Sequence, residues 1–444
     1  MESCQKIVSS PSFPVVLCIF LSASGHVGIV KAIGLYLEDI KSDLEISSMD
    51  IGMALGLLNA FFFIPSPIMA ALYRRNSLRR PLAICGSCLQ TIGVTLFSTA
   101  TNSIQMAIYL SLTGIGISAL MVSCIVALHR VAKEKYNLCF SIGSSGYGAG
   151  MVLFPLLAGF LRAPFGWRGG LLIISALIAH VIPCAVGIQI ESTKMITEVN
   201  DVQTVQRLST EGLDEEKGET SISHSFEENI RLGALHRITN RLRQTDFYKD
   251  PIFNVIFAVQ FAFDMVYCGW HSFLVPHVVQ RGVSVRNTII ITFSAASGNT
   301  FSRLGVGVLT NHLFKPIDVY IFAVILNIGA LLVDVFVANF YVMLVTSCFS
   351  AMSIGARAVV TTLIVRDRAS PGQFDVAFSV GRCISGVGMF LGGYIGGLVA
   401  DRFSSFNATF TMLPIIDAVV LILILIMRCN PKKINRDVNT SKSI

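Results

Sequence analysis

Residues 408–428 read ATFTMLPIIDAVVLILILIMR, a run that is apolar almost throughout. A helix needs about 20 predominantly apolar residues to cross the hydrocarbon core of a bilayer. Runs of this kind recur along the whole chain of 444 residues, which is 53% hydrophobic and only 14% charged. Soluble domains carry about 25% charged residues. The composition therefore predicts an all-α integral membrane protein.

Twelve stretches have the length and apolarity of a membrane span. They are residues 13–37, 51–73, 82–101, 104–128, 138–161, 170–190, 252–278, 288–312, 317–338, 341–365, 375–400 and 408–428. One long polar stretch separates the first six from the last six. This pattern predicts an N-terminal six-helix half (1–190), a linker (191–250), a C-terminal six-helix half (251–430) and a tail (431–444).

The linker has two parts of opposite charge. Residues 209–229, STEGLDEEKGETSISHSFEEN, are acidic and poor in aromatic residues, which predicts disorder. Residues 230–244, IRLGALHRITNRLRQ, space their basic side chains in a helical pattern. Such a helix is expected to lie on anionic membrane lipid.

Lysine and arginine are concentrated in alternate short loops, and this bias sets orientation. The 2–3 connection, the 4–5 connection and the tail are rich in basic residues. These residues are Arg74, Arg75, Arg79, Arg80, Arg130, Lys133, Lys135, Arg428, Lys432, Lys433, Arg436 and Lys442. The opposite loops carry few basic residues. The bias predicts that both termini are cytoplasmic. It also accounts for most of the net charge of +7, so nothing in the charge suggests nucleic acid.

The N-terminal stretch VVLCIFLSASG (15–25) resembles a signal-peptide core with a small-residue cleavage site. The apolar run continues to Leu37, however, so we expect it to be retained as the first span. Its removal would leave eleven spans and place the C-terminus on the opposite side of the membrane.

The motifs of enzymes and primary pumps are missing. The chain has no HExxH, no GxSxG, no pair of intramembrane aspartates and no nucleotide-binding motif, and its eleven cysteines show no metal or redox spacing. We therefore expect neither catalysis nor a cofactor or bound metal.

Six spans, a long linker and six more spans resemble the layout of the major facilitator superfamily. In that fold the substrate site lies near the midplane between the two halves. Several stretches are similar to the monocarboxylate transporters within it, and they are GYGAGMVLFPLLAGFLRAPFGWRGG (146–170), FLVPHVVQRGVS (273–284), GNTFSRLGVGVLTNH (298–312), GGYIGGLVADRFSSFNATF (392–410) and GIVKAIGLYLEDI (28–40). Two features depart from that family. The acidic-glycine-tryptophan signature is missing before Val15, and the 2–3 loop, YRRNSLRRP, lacks the usual aspartate.

Arg303 and Asn299 are the first candidates for a substrate site, because a charge inside a span is costly and marks a site or a pairing. Four residues separate them, so both side chains project from one helical face. Arg303 lies roughly 22 Å from the start of its span at 1.5 Å per residue. A guanidinium there can bind a carboxylate through two N–H groups. The alternative is an arginine satisfied by lipid phosphate or by another helix. The resemblance implies the first role.

Lys31 is the second candidate. It lies about 10 Å from the Glu38–Asp39 boundary, within reach of the outer surface. The residues alone leave a snorkelling lysine and a site lysine equally open. The resemblance implies that Lys31 first receives the anion from outside.

Four further polar residues lie inside predicted spans: Asp264, His271, Arg357 and Arg382. Asp264 and His271 are seven residues apart and share a helical face. Asp264 does not match the family's usual seventh span. We interpret these residues as proton or ion-pair sites, with Asp264 either taking a proton or pairing with Arg357 or Arg382.

These observations predict a plasma-membrane transporter of small monocarboxylates or other organic anions that works by alternating access. Proton-coupled lactate carriers of the family have an aspartate at the position of Asn299, so symport with a proton is left open here. The resemblance also implies that a single-span ancillary glycoprotein can be required. Two alternatives remain: a facilitator of an uncharged, amino-acid-like or aromatic substrate without proton coupling, and a transport-dead receptor or scaffold.

Overall fold

The computed structural model describes residues 12–132, 136–188, 251–368 and 374–429, and within these ranges all regular structure is helical. The first half contains α1 (Phe13–Leu35), α2 (Leu37–Leu44), α3 (Ser48–Phe63), α4 (Ser66–Tyr73), α5 (Arg79–Phe97), α6 (Ser103–Ala132), α7 (Tyr136–Ser144), α8 (Gly146–Ile178) and α9 (Val181–Val186). The second half contains α10 (Pro251–Gln280), α11 (Val285–His312), α12 (Pro316–Phe336), α13 (Phe340–Arg368), α14 (Phe374–Arg402) and α15 (Phe406–Cys429).

Ten helical segments of the described ranges are long and apolar enough to cross a membrane. One of them, Ile142–Val186, has 45 residues and is broken at Gly166, where φ is +61° and ψ is −172°. A positive φ of this kind suits glycine, and it interrupts the helix between two predicted spans. The helix Val285–His312 is not among these ten, because Arg286, Arg303 and several asparagines make it less apolar. The all-α membrane fold is confirmed, and the count of twelve spans stays a prediction.

The helix connections gather at two ends of the bundle. At the first, which we call the Asp43 end, Asp43 accepts hydrogen bonds from Trp167 and Arg168. Arg168 also donates to the carbonyls of Ser98 and Ala100. Three separate connections are thereby held together.

At the opposite end, which we call the Tyr73 end, Arg79 donates to the Tyr73 carbonyl and Arg130 lies over the Tyr73 ring. Arg80 donates to the carbonyl of Val186 there. Basic residues of the 2–3 and 4–5 connections therefore lie together at this end.

The two halves meet most closely where α3 packs against α14. A Cβ atom added to Gly52 would lie 2.2 Å from the carbonyl oxygen of Gly393, and one added to Gly397 would lie 2.4 Å from that of Ser48. The backbones therefore touch without intervening side chains. Asp401 at the end of α14 accepts from the backbone N–H groups of Ser48 (2.9 Å) and Met49 (2.6 Å). The unpaired amides that open α3 are thus satisfied by the other half.

Close packing of glycines also occurs within each half, as expected for membrane helices. A Cβ at Gly150 would lie 2.1 Å from the carbonyl oxygen of Ser24, and one at Gly392 would lie 2.3 Å from that of Met265. The stretch 15–25, which resembles a signal peptide, forms part of α1 and makes the first of these contacts. The predicted linker 191–250, Lys133, Lys135 and the tail after 429 lie outside the described residues.

Candidate functional site

A cavity of about 570 Å³ lies between the two halves. The first half contributes residues of α1, α3, α6, α7 and α8, and the second half contributes residues of α10, α11, α13 and α14. Its wall reaches Ile125 and Leu363, which lie within two turns of the helix ends at the Tyr73 end. At the Asp43 end the halves are closed by the contact between α3 and α14. The cavity therefore opens away from Asp43.

Arg303 and Asn299 line this cavity together. The Nε of Arg303 donates to Oδ1 of Asn299 at 2.8 Å, and Nδ2 of Asn299 donates to the carbonyl of Ala351 at 3.3 Å. The amide is thus oriented by α13, and it in turn orients the guanidinium. The Nη atoms of Arg303 have no hydrogen-bond or carboxylate partner among the described residues. They are available to a ligand, with the ring of Tyr147 5.8 Å from the guanidinium carbon.

Arg382 is the second arginine of the cavity wall. Its guanidinium carbon lies 3.9 Å from the centre of the Phe63 ring and 5.2 Å from that of Phe62. No ion pair with a described carboxylate holds it. A cation on aromatic faces is stabilised without being neutralised. The sequence interpretation of Arg382 as an ion-pair residue is therefore wrong for this state, because the aromatic rings of α3 take the place of an acid.

Asp264 lies in the same cavity and is 5% exposed. It is within 4 Å of neither Arg357 nor Arg382, so the predicted pairing with either arginine is wrong for this structure. Its Oδ2 has no hydrogen-bond partner among the described residues. The neighbouring Gln260 donates through Nε2 to the hydroxyl of Ser385 at 2.8 Å. Among the described residues, the cavity wall thus contains two arginines and one carboxylate, which forms no ion pair.

Arg357 belongs to a different centre. Its Nη1 donates to Oδ1 of Asp417 at 2.6 Å, and both side chains are fully buried. Asn327 donates to the other oxygen of Asp417 at 2.5 Å. This centre joins α12, α13 and α15 within one half, and Arg357 does not line the cavity. The partner of Arg357 is therefore Asp417, a residue that the sequence analysis did not single out.

Lys31 does not line the cavity either. It is fully buried, and its Nζ donates to the carbonyl of His271 at 2.6 Å and lies 5.0 Å from the centre of the Trp270 ring. The snorkelling alternative is thus wrong for this structure, because the side chain points into α10. No described carboxylate is within 4 Å of it. His271 itself is buried, with no partner for either ring nitrogen among the described residues.

His26 is a cavity residue that sequence reasoning missed. Its Nε2 hydrogen-bonds Oδ1 of Asn59 at 3.1 Å, and its ring contacts Phe62 edge to face at 4.9 Å. A polar residue in the apolar run of α1 was the available signal. Among the described residues, no group of three His, Cys, Asp or Glu side chains is placed to hold a metal ion.

A family model described as the Major Facilitator Superfamily matches residues 15–333. Monocarboxylate transporter 6 of Homo sapiens is 21% identical over 416 residues, which cover 93% of this chain and 79% of that protein. Monocarboxylate transporter 2 of Mesocricetus auratus is 22% identical over 394 residues, covering 87% of this chain and 78% of that protein.

Two solved structures share the fold. A mutant of the nucleoside transporter NupG has a TM-score of 0.69 at 11% identity, covering 94% of this chain and all of that chain. A bacterial homolog of the human lysosomal transporter Spinster has a TM-score of 0.65 at 14% identity, covering 94% and 96% of the two chains. Since the family model spans more than half of the sequence, the chain belongs to the Major Facilitator Superfamily and is a transmembrane solute transporter rather than an enzyme.

Proposed function

We propose that the protein carries small monocarboxylates or related organic anions across the membrane by alternating access. The observation that carries this proposal is the state of Arg303, whose Nη atoms face the cavity without an acidic partner among the described residues. Arg382 adds a second unneutralised cation. Among the described residues of the cavity wall, two arginines against the carboxylate of Asp264 leave an excess positive charge that one monoanion would balance. The names of the relatives point to the same substrate class.

The role of each group follows from its geometry. Asn299 occupies the Nε of Arg303, so a carboxylate would bind end-on to the two Nη atoms. The amide thereby selects one binding direction. Arg382 would attract the anion from the opposite wall, and Tyr147 would limit its position near Arg303.

The structure is interpreted as the inward-facing state. We place the Tyr73 end in the cytoplasm, because arginines of the 2–3 connection lie there and positive residues favour the cytoplasmic side. Transport would then require the contact between α3 and α14 to part while the cavity closes at the Tyr73 end. In the opposite state Lys31 would meet the anion first, which is the role that the family resemblance implies.

Proton coupling is proposed to be weaker than in a lactate–proton carrier. Asn299 cannot titrate, so the pair that it forms with Arg303 has no proton to release when an anion binds. Coupling would need another group, and Asp264, Lys31 and His271 are the buried titratable candidates.

We also place the protein in the plasma membrane, with both termini cytoplasmic. An ancillary single-span glycoprotein is a proposed partner, testable by co-purification from surface membranes.

The test is counterflow in proteoliposomes with labelled monocarboxylates at two pH values. Arg303→Ala should remove more than about 90% of the flux, and Arg303→Lys should recover little, because a point charge does not replace the planar fork. Arg366→Ala is the matched control, since Arg366 is exposed at the Tyr73 end. Unchanged flux in correctly folded Arg303→Ala would overturn the proposal. Absence of any flux from the wild type would favour a receptor or scaffold.

A further inference from the structure

Two arginines of the first half meet on one aromatic ring at the Tyr73 end. Arg79 opens α5 and Arg130 lies near the end of α6, and the guanidinium carbon of each is 5.7 Å from the centre of the Tyr73 ring. Arg79 also donates through Nε to the Tyr73 carbonyl at 3.2 Å. Tyr73 is 3% exposed, so a buried ring holds two cations from different helices at one place.

Three more arginines lie next to these residues in the chain. Arg74 and Arg75 directly follow Tyr73, Arg80 directly follows Arg79, and all three are exposed. The partner of Arg80 is the carbonyl of Val186, at 3.5 Å. We call the whole set the arginine cluster, and its members are Arg74, Arg75, Arg79, Arg80 and Arg130.

The arginine cluster is not neutralised by any acid in the part of the chain that the structure describes. No described carboxylate is within 4 Å of a member, and the described acids of the first half lie at the Asp43 end. Those acids are Glu38, Asp39, Asp43, Glu45 and Asp50. Arg366 and Arg428 of the second half, by contrast, contact Asp367 and Asp318.

The bias of basic residues toward one side of the membrane does not account for this convergence. That bias concerns how many lysines and arginines each loop contains. It does not require two guanidinium groups from separate helices to lie on the same ring, where their like charges repel each other. The ring stabilises each cation without neutralising it. A bound anion would, and the guanidinium fork matches phosphate oxygens in particular.

The position of the arginine cluster favours a lipid as the source of that anion. The candidate spans Ser48–Tyr73 and Ser103–Ala132 end there, and the span Asn76–Phe97 begins there. Ile68, Ala71 and Arg75 are exposed and follow one another at helical spacing. An exposed apolar strip of α4 therefore leads to an exposed arginine, as acyl chains lead to a headgroup.

We propose that the arginine cluster binds the multiply charged phosphate headgroup of an anionic membrane lipid, whose acyl chains lie along α4. The headgroup supplies the negative charge that the described first half lacks at this end, and clusters of basic residues beside a span recognise such lipids. None of the five arginines lines the cavity. The lipid site is thus separate from the proposed function and does not depend on which substrate is carried.

The experiment is thermal unfolding of the full-length protein in detergent, titrated with short-chain lipids. The probes are dioctanoyl phosphatidylinositol bisphosphate, dioctanoyl phosphatidylserine at the same total charge, dioctanoyl phosphatidylcholine and free inositol trisphosphate. A ligand that binds the folded state raises Tm with its concentration, so each titration gives an apparent Kd. The bisphosphate lipid should bind at least about tenfold more tightly than each of the other three probes.

Variants of the arginine cluster locate the site. Arg75→Gln and Arg130→Gln should each weaken binding of the bisphosphate lipid about fivefold, the factor expected for one basic residue near anionic lipid, and together about twentyfold. Arg366→Gln is the matched control, because it removes an exposed arginine that has an acidic neighbour. Its affinity should stay within about twofold of the wild type. Each variant is compared with its own lipid-free Tm, so a loss of stability alone does not count.

Unchanged lipid binding in the double variant would overturn the site. Equal binding of phosphatidylserine would overturn it as well, because the attraction would then be diffuse. Equal binding of free inositol trisphosphate would make the ligand a soluble phosphate instead. Lipid binding that appears only after deletion of residues 205–225 would assign the arginine cluster to the acidic part of the linker and overturn the lipid site. All these outcomes leave carboxylate transport standing, since its test rests on Arg303.

Discussion

Two centres in the second half contain a buried or half-buried arginine, and they differ in what faces the guanidinium. Arg357 is fully buried and bound to the carboxylate of Asp417, which Asn327 also contacts. Arg303 is bound only to the neutral amide of Asn299 and borders the cavity. The first centre is complete within the protein. The second contains no acid among the described residues.

The two centres show that the burial of an arginine does not by itself indicate a role in substrate binding. A buried charge must be compensated, and breaking a buried pair leaves the remaining charge uncompensated. Arg357 is more fully buried than Arg303, and the cost of a charge inside a span made both of them candidates for a site. The presence or absence of a carboxylate within 4 Å distinguishes a structural arginine from one that can receive a ligand.

The largest effect is expected when the acid is removed from the centre formed by Arg357 and Asp417. Asp417→Ala should destabilise the protein by about 3–5 kcal/mol, because it leaves Arg357 buried without a counter-charge. Thermal unfolding in detergent would measure this loss. Arg303→Ala is the matched variant and should change stability by less than about 1 kcal/mol, since its guanidinium borders an open cavity. Equal destabilisation by both would contradict the distinction.

The next largest effect is expected when Arg303 is given an acidic partner like that of Arg357. With Asn299→Asp, an ionised carboxylate would bind Arg303 and compete with the substrate, and it would no longer donate to the Ala351 carbonyl. Uptake at pH 7.5 should fall about tenfold, a factor worth about 1.4 kcal/mol. Protonation at lower pH would release Arg303 and restore uptake.

Initial rates measured between pH 5.5 and 8 would test this. The wild type should vary less with pH than the variant. A wild-type flux that already rises about tenfold per pH unit, and that collapses in Asp264→Asn, would assign coupling to Asp264 and contradict the account of Asn299.

A smaller effect is expected when the complete centre is replaced as a unit. Arg357→Met combined with Asp417→Leu removes both charges and keeps the volume, and such replacements of buried pairs are often close to neutral. The double variant should regain at least about 2 kcal/mol of the stability that Asp417→Ala loses. Flux close to the wild-type level would confirm that this centre is structural. Flux as low as that of Arg303→Ala would assign Arg357 to the transport site.

The least effect is expected outside both centres. Deletion of about residues 205–225 should leave uptake within about twofold of the wild type, because an acidic segment of this composition is predicted to contribute no packing. Quantified surface expression is the control for delivery. Loss of uptake by a correctly delivered deletion would make the linker a regulatory element.

The sequence predicted the helices well because each span is a local apolar run. The predicted stretch 341–365 corresponds to Phe340–Arg368, and 375–400 corresponds to Phe374–Arg402. The contact of Arg303 with Asn299 was predictable for the same reason, since four residues form one helical turn. The predicted stretch 288–312 corresponds to helix Val285–His312, although the polar residues of this helix reduce its apolarity.

The partners between helices were not predictable from this one sequence. Which face of α13 meets α15 depends on how both helices rotate about their axes, and the apolar runs do not specify that rotation. The pairing of Arg357 with Asp417, sixty residues apart, was missed for this reason. The same uncertainty concealed His26 in the cavity and the stacking of Arg382 on Phe63.

The contact of Gly52 with Gly393 has a thermodynamic consequence for the transport cycle. Glycines have no rotamers to lose when surfaces join, so this part of the contact is neither opposed nor favoured by side-chain entropy. Few side chains there need to reorder when the halves part. The free energy needed to part the halves here therefore depends on the packing and on the Asp401 hydrogen bonds that are lost, and little on the ordering of side chains.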